Sequence, residues 1–103
     1  MRREIPVHEW PSFLAQLGRE RRAWLCTLAY AGSVQAREPP LDSISIGEGV
    51  DIRLGGRVVH LDAPQAVQVE HTAAGALKLI QIEDNVGRTL TLRFRVPGVP
   101  GER

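Results

Sequence analysis

Few residues in this chain are equipped to do covalent chemistry. One cysteine, Cys26, and three histidines, His8, His60 and His71, are the side chains that titrate nearest neutral pH. A reactive thiolate needs exposure and a neighbouring cation. Cys26 instead stands between Leu25 and Thr27 in a largely apolar run, so it reads as a buried structural residue. The histidines lack the spacing of a zinc-binding pair and no cysteine cluster joins them, so neither a metal nor a cofactor is expected. His8 precedes Glu9 at a helix start, facing solvent. One acid–base pair is within reach: Asp51 and His60 flank Gly55-Gly56, and a two-residue turn there sets them opposite each other. No nucleophile can be placed beside them, so they read as a surface charge pair. No catalytic residue is assigned, and an enzyme using Asp51, His60 or Cys26 is the weakest of three functional readings.

Phosphate chemistry has little more support. Gly47-Glu48-Gly49 and Gly55-Gly56 match no phosphate-binding loop and read as turns. Lys78 is the single lysine among 13 basic residues, against 12 acidic ones, for a net charge of +1. That balance removes the global argument for a nucleic-acid partner. The arginines do cluster, with Arg19, Arg21 and Arg22 late in a helical segment and Arg88, Arg93 and Arg95 at the end of the chain's strands. Were the two groups to converge, they would form a patch for RNA, DNA or an acidic partner. Interleaved aromatics would strengthen that case. Aromatics make up 5% of the chain, and Phe94 points away from Arg93 and Arg95 in the expected strand.

The elements that position these groups follow from periodicity. Trp10, Phe13, Leu14 and Leu17 share one helical face, which predicts a helix over 4–22 with Gly18 as a stop. From Ala23 the period becomes two. Strands are expected over 23–30, 34–38, 50–54, 57–61, 66–71 and on both sides of Asn85-Val86-Gly87, with 41–49 either a short strand or a structured loop. A three-residue loop at Asn85-Val86-Gly87 sets Ile82 against Leu90 and Ile80 against Leu92; a slip of one residue would scramble both faces. In that register Leu77 and Leu79 lie with Arg93 and Arg95 on the face away from the strand core. Bare leucines there need a cover, either the helix or another subunit. Leu77, Leu79, Arg93 and Arg95 are therefore the candidate binding residues.

The fold class expected is α+β and mainly β: one N-terminal amphipathic helix, then about seven short antiparallel strands in a small barrel or two-layer sandwich. At 103 residues, with 43% hydrophobic and 24% charged, the chain suits one domain over 1–96. The tail 97–103 is expected to be flexible. A lone cysteine, and no apolar run long enough to span a bilayer, fit a soluble cytoplasmic protein without membrane contact.

Several stretches carry a resemblance: Arg3-Glu4-Ile5-Pro6, Glu9-Trp10-Pro11 with Phe13-Leu14, Trp24-Leu25 with Thr27-Leu28, Ala36-Arg37-Glu38, and Pro40-Leu41 before Ile44. Together they resemble a family of small bacterial proteins catalogued only as a domain of unknown function. The resemblance implies one complete domain and brings no catalytic residue, ligand or partner. The leading functional expectation is a non-enzymatic binding or protein-interaction module, with a homodimer or a protein as its partner. Nucleic-acid or anion binding through the arginines is the alternative.

Overall fold

The computed structural model describes residues 2–37 and 39–95. Its order is β1 (Arg2–Ile5), α1 (Trp10–Glu20), β2 (Cys26–Tyr30), β3 (Ser33–Ala36), β4 (Leu41–Ile46), β5 (Gly49–Leu54), β6 (Arg57–Asp62), β7 (Pro64–His71), β8 (Leu77–Asp84) and β9 (Thr89–Phe94). The described residues are mainly β, with one α-helix near the N-terminus. Six strands make one sheet, ordered β1-β7-β8-β9-β2-β3, and β4-β5-β6 make a second; neither closes into a barrel among the described residues. Both sheets and α1 contribute to a single apolar core that includes Leu14, Leu28, Ile52 and Ile80.

The helix is shorter than its sequence pattern suggests. Residues 2–5 form a strand against β7, with Ile5 opposite Val67. Pro6 is the cause, because the residue before a proline is driven out of the helical region into extended backbone. A 3-10 turn at Val7–Glu9 then leads into α1, with a proline in its first turn. The Trp10 indole N–H donates to the Ile5 carbonyl at 2.8 Å and fastens strand to helix. Gly18 does not stop the helix. It lies inside it, where α1 crosses β4 so closely that a Cβ would stand 2.8 Å from the Ile44 nitrogen.

Among the described residues the strands number nine, against about seven expected. The additions are β1 and the segment from Leu41, which is a true strand paired with β5. The β5–β6 hairpin has the anticipated register, including Asp51 opposite His60. Both turn glycines there take positive φ, 55° at Gly55 and 79° at Gly56, as a tight hairpin turn demands. The β8–β9 hairpin likewise sets Ile82 against Leu90 and Ile80 against Leu92.

One local feature changes the candidate site. Between β7 and β8 the register shifts, with Glu70 opposite Leu79 but His71 opposite Leu77, so Lys78 is an extra residue in the ladder. Such a bulge interrupts the two-residue alternation. Leu77 therefore joins the core, 3% exposed, while Leu79 stays outside the core cluster. The expected tail, 97–103, lies outside the described residues.

Candidate functional site

The two arginine groups do approach each other, and Trp24 stands between them. The last turn of α1 delivers Arg21, whose backbone N–H donates to the Leu17 carbonyl at 2.9 Å. The chain then reverses through Ala23, which takes φ 71°. That left-handed conformation costs an L-residue about 1–2 kcal/mol. Ala23 is held there by its N–H to the Leu41 carbonyl, 2.7 Å, and by the Trp24 N–H to the Arg21 carbonyl, 3.0 Å. The reversal brings Trp24 against Arg21, whose guanidinium carbon lies 4.7 Å from the ring centroid. A cation at that distance over an indole is attracted by the ring's negative face. Phe94, the last residue of β9, meets Trp24 edge-on, with centroids 6.2 Å apart and planes at 80°. The Arg95 N–H donates to the Leu25 carbonyl at 2.9 Å, which sets Arg95 beside the same indole.

Three hollows surround this arrangement. One of about 310 Å³ is lined by Ala23, Trp24, Leu25 and Arg95. A second, about 200 Å³, is lined by Cys26, Thr27, Arg93, Phe94 and Arg95. A third, about 180 Å³, is a cleft between α1 and the β7–β8 connection, lined by Phe13, Gln16, Leu17, Glu20, Arg21, His71 and Leu77. Apolar walls edged by guanidinium groups suit a ligand with a negative charge and an apolar body.

Of the four residues singled out by pattern, Arg93 and Arg95 border these hollows and Leu77 borders the cleft, where α1 covers it with Phe13 and Leu17. Leu79 borders none of them. It opposes Glu70 and Arg93 in the ladder, yet is 4% exposed. The pair expected to share the strand face away from the core is split: the bulge turns Leu77 inward, and Leu79 keeps its place opposite Glu70 and Arg93 while being 4% exposed. Nearby, Glu70 takes Arg2 at 2.9 Å and Lys78 at 3.1 Å, and these contacts, Arg2 first, lower its pKa to about 2. Glu70 thus sits between two cations.

The remaining chemistry is structural. Burial raises the Cys26 thiol to about 11, and its Sγ lies 3.5 Å from the Pro39 carbonyl, so it is neither ionised nor open to attack. The hollow that Cys26 borders contains neither Asp51 nor His60. His60 is gripped on both ring nitrogens, Nδ1 by Asp51 at 2.5 Å and Nε2 by Asp62 at 2.7 Å. Gly49 makes room for the ring, since a Cβ there would come within 2.7 Å of His60 Cε1. The two carboxylates, Asp51 foremost, raise the His60 pKa. Among the described residues no group of three His, Cys, Asp or Glu side chains is arranged to hold a metal ion.

Pattern reading missed two features. Asp62 joins the His60 pair only because β6 continues one residue further than its apolar run. Asp84 is 3% exposed and accepts from the Tyr30 hydroxyl at 2.8 Å, the Arg88 guanidinium at 2.9 Å, and the backbone N–H groups of Val86 and Arg88 at 3.0 and 2.9 Å. Desolvation pushes its pKa up, and these hydrogen bonds outweigh that, leaving it at about 2. Asp84 therefore pins the β8–β9 turn to β2. The placement of Trp24 beside Arg21 and Arg22 was visible in the chain, but its meeting with Phe94 was not. Among the described residues no helix is long and apolar enough to cross a membrane. Comparison with protein-family models, with curated proteins and with solved structures finds no match to this chain.

Proposed function

We propose that this protein is a non-enzymatic interaction module that binds an acidic segment of a partner protein at the Trp24 end. The observation that carries the reading is Trp24 itself, braced by Arg21 and Phe94 and forming, with Arg95, the wall of a hollow of about 310 Å³. A braced aromatic gives an apolar side chain a rigid surface at little entropic cost, and arginines beside it take carboxylates in forked geometry. The hollow has room for one anchoring side chain. A net charge of +1 matches a short acidic segment better than a polyphosphate backbone. In this reading the two sheets form an open two-layer sandwich that displays the site, and the module works in the cytoplasm, where its lone cysteine stays reduced. The family resemblance noted above is compatible with such a role and adds no ligand to it.

Fluorescence anisotropy with a labelled, N-acetylated peptide of alternating glutamate and leucine tests this. Binding is expected at low salt, weakening as salt rises. Trp24→Ala and Arg95→Gln each weaken it by about tenfold. Peptide binding that ignores both substitutions, or no binding at low salt, removes the proposal. A labelled oligothymidylate that binds more tightly than the peptide, with a steep salt slope, replaces it with nucleic-acid binding.

A further inference from the structure

The six-stranded sheet turns one face to the core. Ile80, Ile82, Leu90 and Leu92 point into the cluster that α1 and the second sheet complete. Alternation sends Gln81, Glu83, Thr89, Thr91 and Arg93 to the opposite face, where all five are half-buried or exposed. The register extends that face across the sheet. Gln68 lies beside Gln81, Ala29 beside Thr91 and Val34 beside Ala29, with Val34 45% exposed. Neutral side chains therefore run across its middle from β7 to β3.

Charge sits at the two ends of the central strands. β8 and β9 are the middle pair of the six. Glu83 stands at one end of that pair, opposite Thr89, and Arg93 at the other, opposite Leu79, with Gln81–Thr91 midway. Toward β1, Arg2 and Lys78 are matched by Glu70 within the chain. Glu83 and Arg93 are not: neither makes a hydrogen bond or an ion pair with a described residue. They lie about 13 Å apart along the strands and do not meet each other.

This arrangement is self-complementary. A two-fold axis in the plane of the face, crossing it at Gln81–Thr91, reverses the strand direction. It sets the Glu83 end of one copy over the Arg93 end of another, so two equivalent ion pairs form at once and the contact closes. Stacked sheets lie about 10 Å apart, a gap that a glutamate and an arginine extended toward each other can span. A partner of one sign would satisfy one of the two residues and repel the other. Area sets the strength. Six strands spaced about 4.8 Å apart and about 20 Å long give on the order of 600 Å² per copy. That is the low end for specific interfaces, so the contact is reversible rather than obligate.

We infer that a second copy of this chain docks on the outer face of the six-stranded sheet, with Glu83 of each copy paired to Arg93 of the other. The contact does not rest on the acidic-peptide reading, which uses Trp24 and Arg95.

Sedimentation equilibrium from about 10 µM to about 1 mM tests this. A monomer–dimer equilibrium is expected, with the dimer weakening as salt rises. Glu83→Arg and Arg93→Glu each set like charges against each other and should weaken dimerisation by about tenfold. Both positions are exposed, so each variant should melt as the wild type does. The double variant, Glu83→Arg with Arg93→Glu, restores opposite charges and should recover the dimer. A strict monomer at about 1 mM overturns the inference. So does a dimer that ignores both single reversals, or a double variant no stronger than either single one. Peptide anisotropy on the same samples separates the two readings: Trp24→Ala loses the peptide and keeps the dimer, whereas Glu83→Arg loses the dimer and keeps the peptide. Loss of the dimer in Trp24→Ala would move the contact to the Trp24 end and sink the assignment.

Discussion

His60 and Asp51 face each other across the β5–β6 pair with 2.5 Å between Nδ1 and Oδ1, and Asp62 closes on the opposite nitrogen at 2.7 Å. The pair raises the His60 pKa above its ordinary 6.5. A histidine whose folded pKa is raised adds stability that is complete below 6.5 and is lost as pH rises through the folded value. The side chain is 46% exposed, so solvent screens the effect and its size is modest. NMR titration of the His60 ring is expected to show a midpoint above 6.5. The gap in melting temperature between wild type and Asp51→Asn is expected to be widest just below pH 6.5 and to close as pH rises through the folded value. A midpoint at or below 6.5 would mean that the grip does not form in solution.

Gly18 lets α1 lie directly on β4. A Cβ there would stand 2.8 Å from the Ile44 backbone nitrogen, and backbone cannot step aside as a flexible side chain can. Gly18→Ala is therefore expected to destabilise by about 1–3 kcal/mol in urea unfolding, despite alanine's better helix propensity. An unchanged or raised midpoint would show that the helix rides higher over β4.

Asp84 has the opposite pH dependence to His60. A carboxyl whose folded pKa is lowered contributes stability that is present above the unfolded value of 3.8 and is lost as pH falls through about 2. Asp84→Asn keeps the shape but replaces one acceptor oxygen with an amide donor, so it should lower the melting temperature at pH 7 and flatten the acid-side loss. Tyr30→Phe removes one of the four donors and should reproduce part of that change. Identical acid unfolding curves for Asp84→Asn and wild type would argue against the arrangement.

Ala23 carries the strain of the Trp24 turn, at φ 71°. Ala23→Gly relieves about 1–2 kcal/mol of left-handed strain and gives back about 0.5–1 kcal/mol in chain entropy. A net gain in stability is expected. Acidic-peptide binding should weaken slightly as the position of Trp24 loosens. Destabilisation on substitution would show that the Ala23 methyl contributes packing that outweighs its strain.

The sequence was most informative wherever its own periodicity met a turn signal. Gly55-Gly56 and Asn85-Val86-Gly87 each sit between alternating runs, and both hairpin registers follow from that local information. The same reading failed at Leu77 and Leu79, because a bulge at Lys78 is decided by pairing with β7, and alternation within β8 carries no trace of it. It failed at residues 2–5 for a related reason. Arg2–Ile5 is a strand because β7 offers an edge, although Pro6 already argued against helix there. The sheet order, which sets β2 beside β9 and β1 beside β7, rests on contacts between residues far apart in the chain.

The same division runs through the candidate site. Local chemistry in the chain determined that Asp51 and His60 meet, that Cys26 is buried rather than reactive, and that the arginines fall into two groups. Whether those groups share a site was a tertiary matter. It is the return of β9 to β2 that carries Phe94 and Arg95 to Trp24, and the left-handed turn at Ala23 that brings Trp24 to Arg21. Periodicity records which face a residue occupies on its own element, while the neighbour across a core is chosen by the packing of the whole chain.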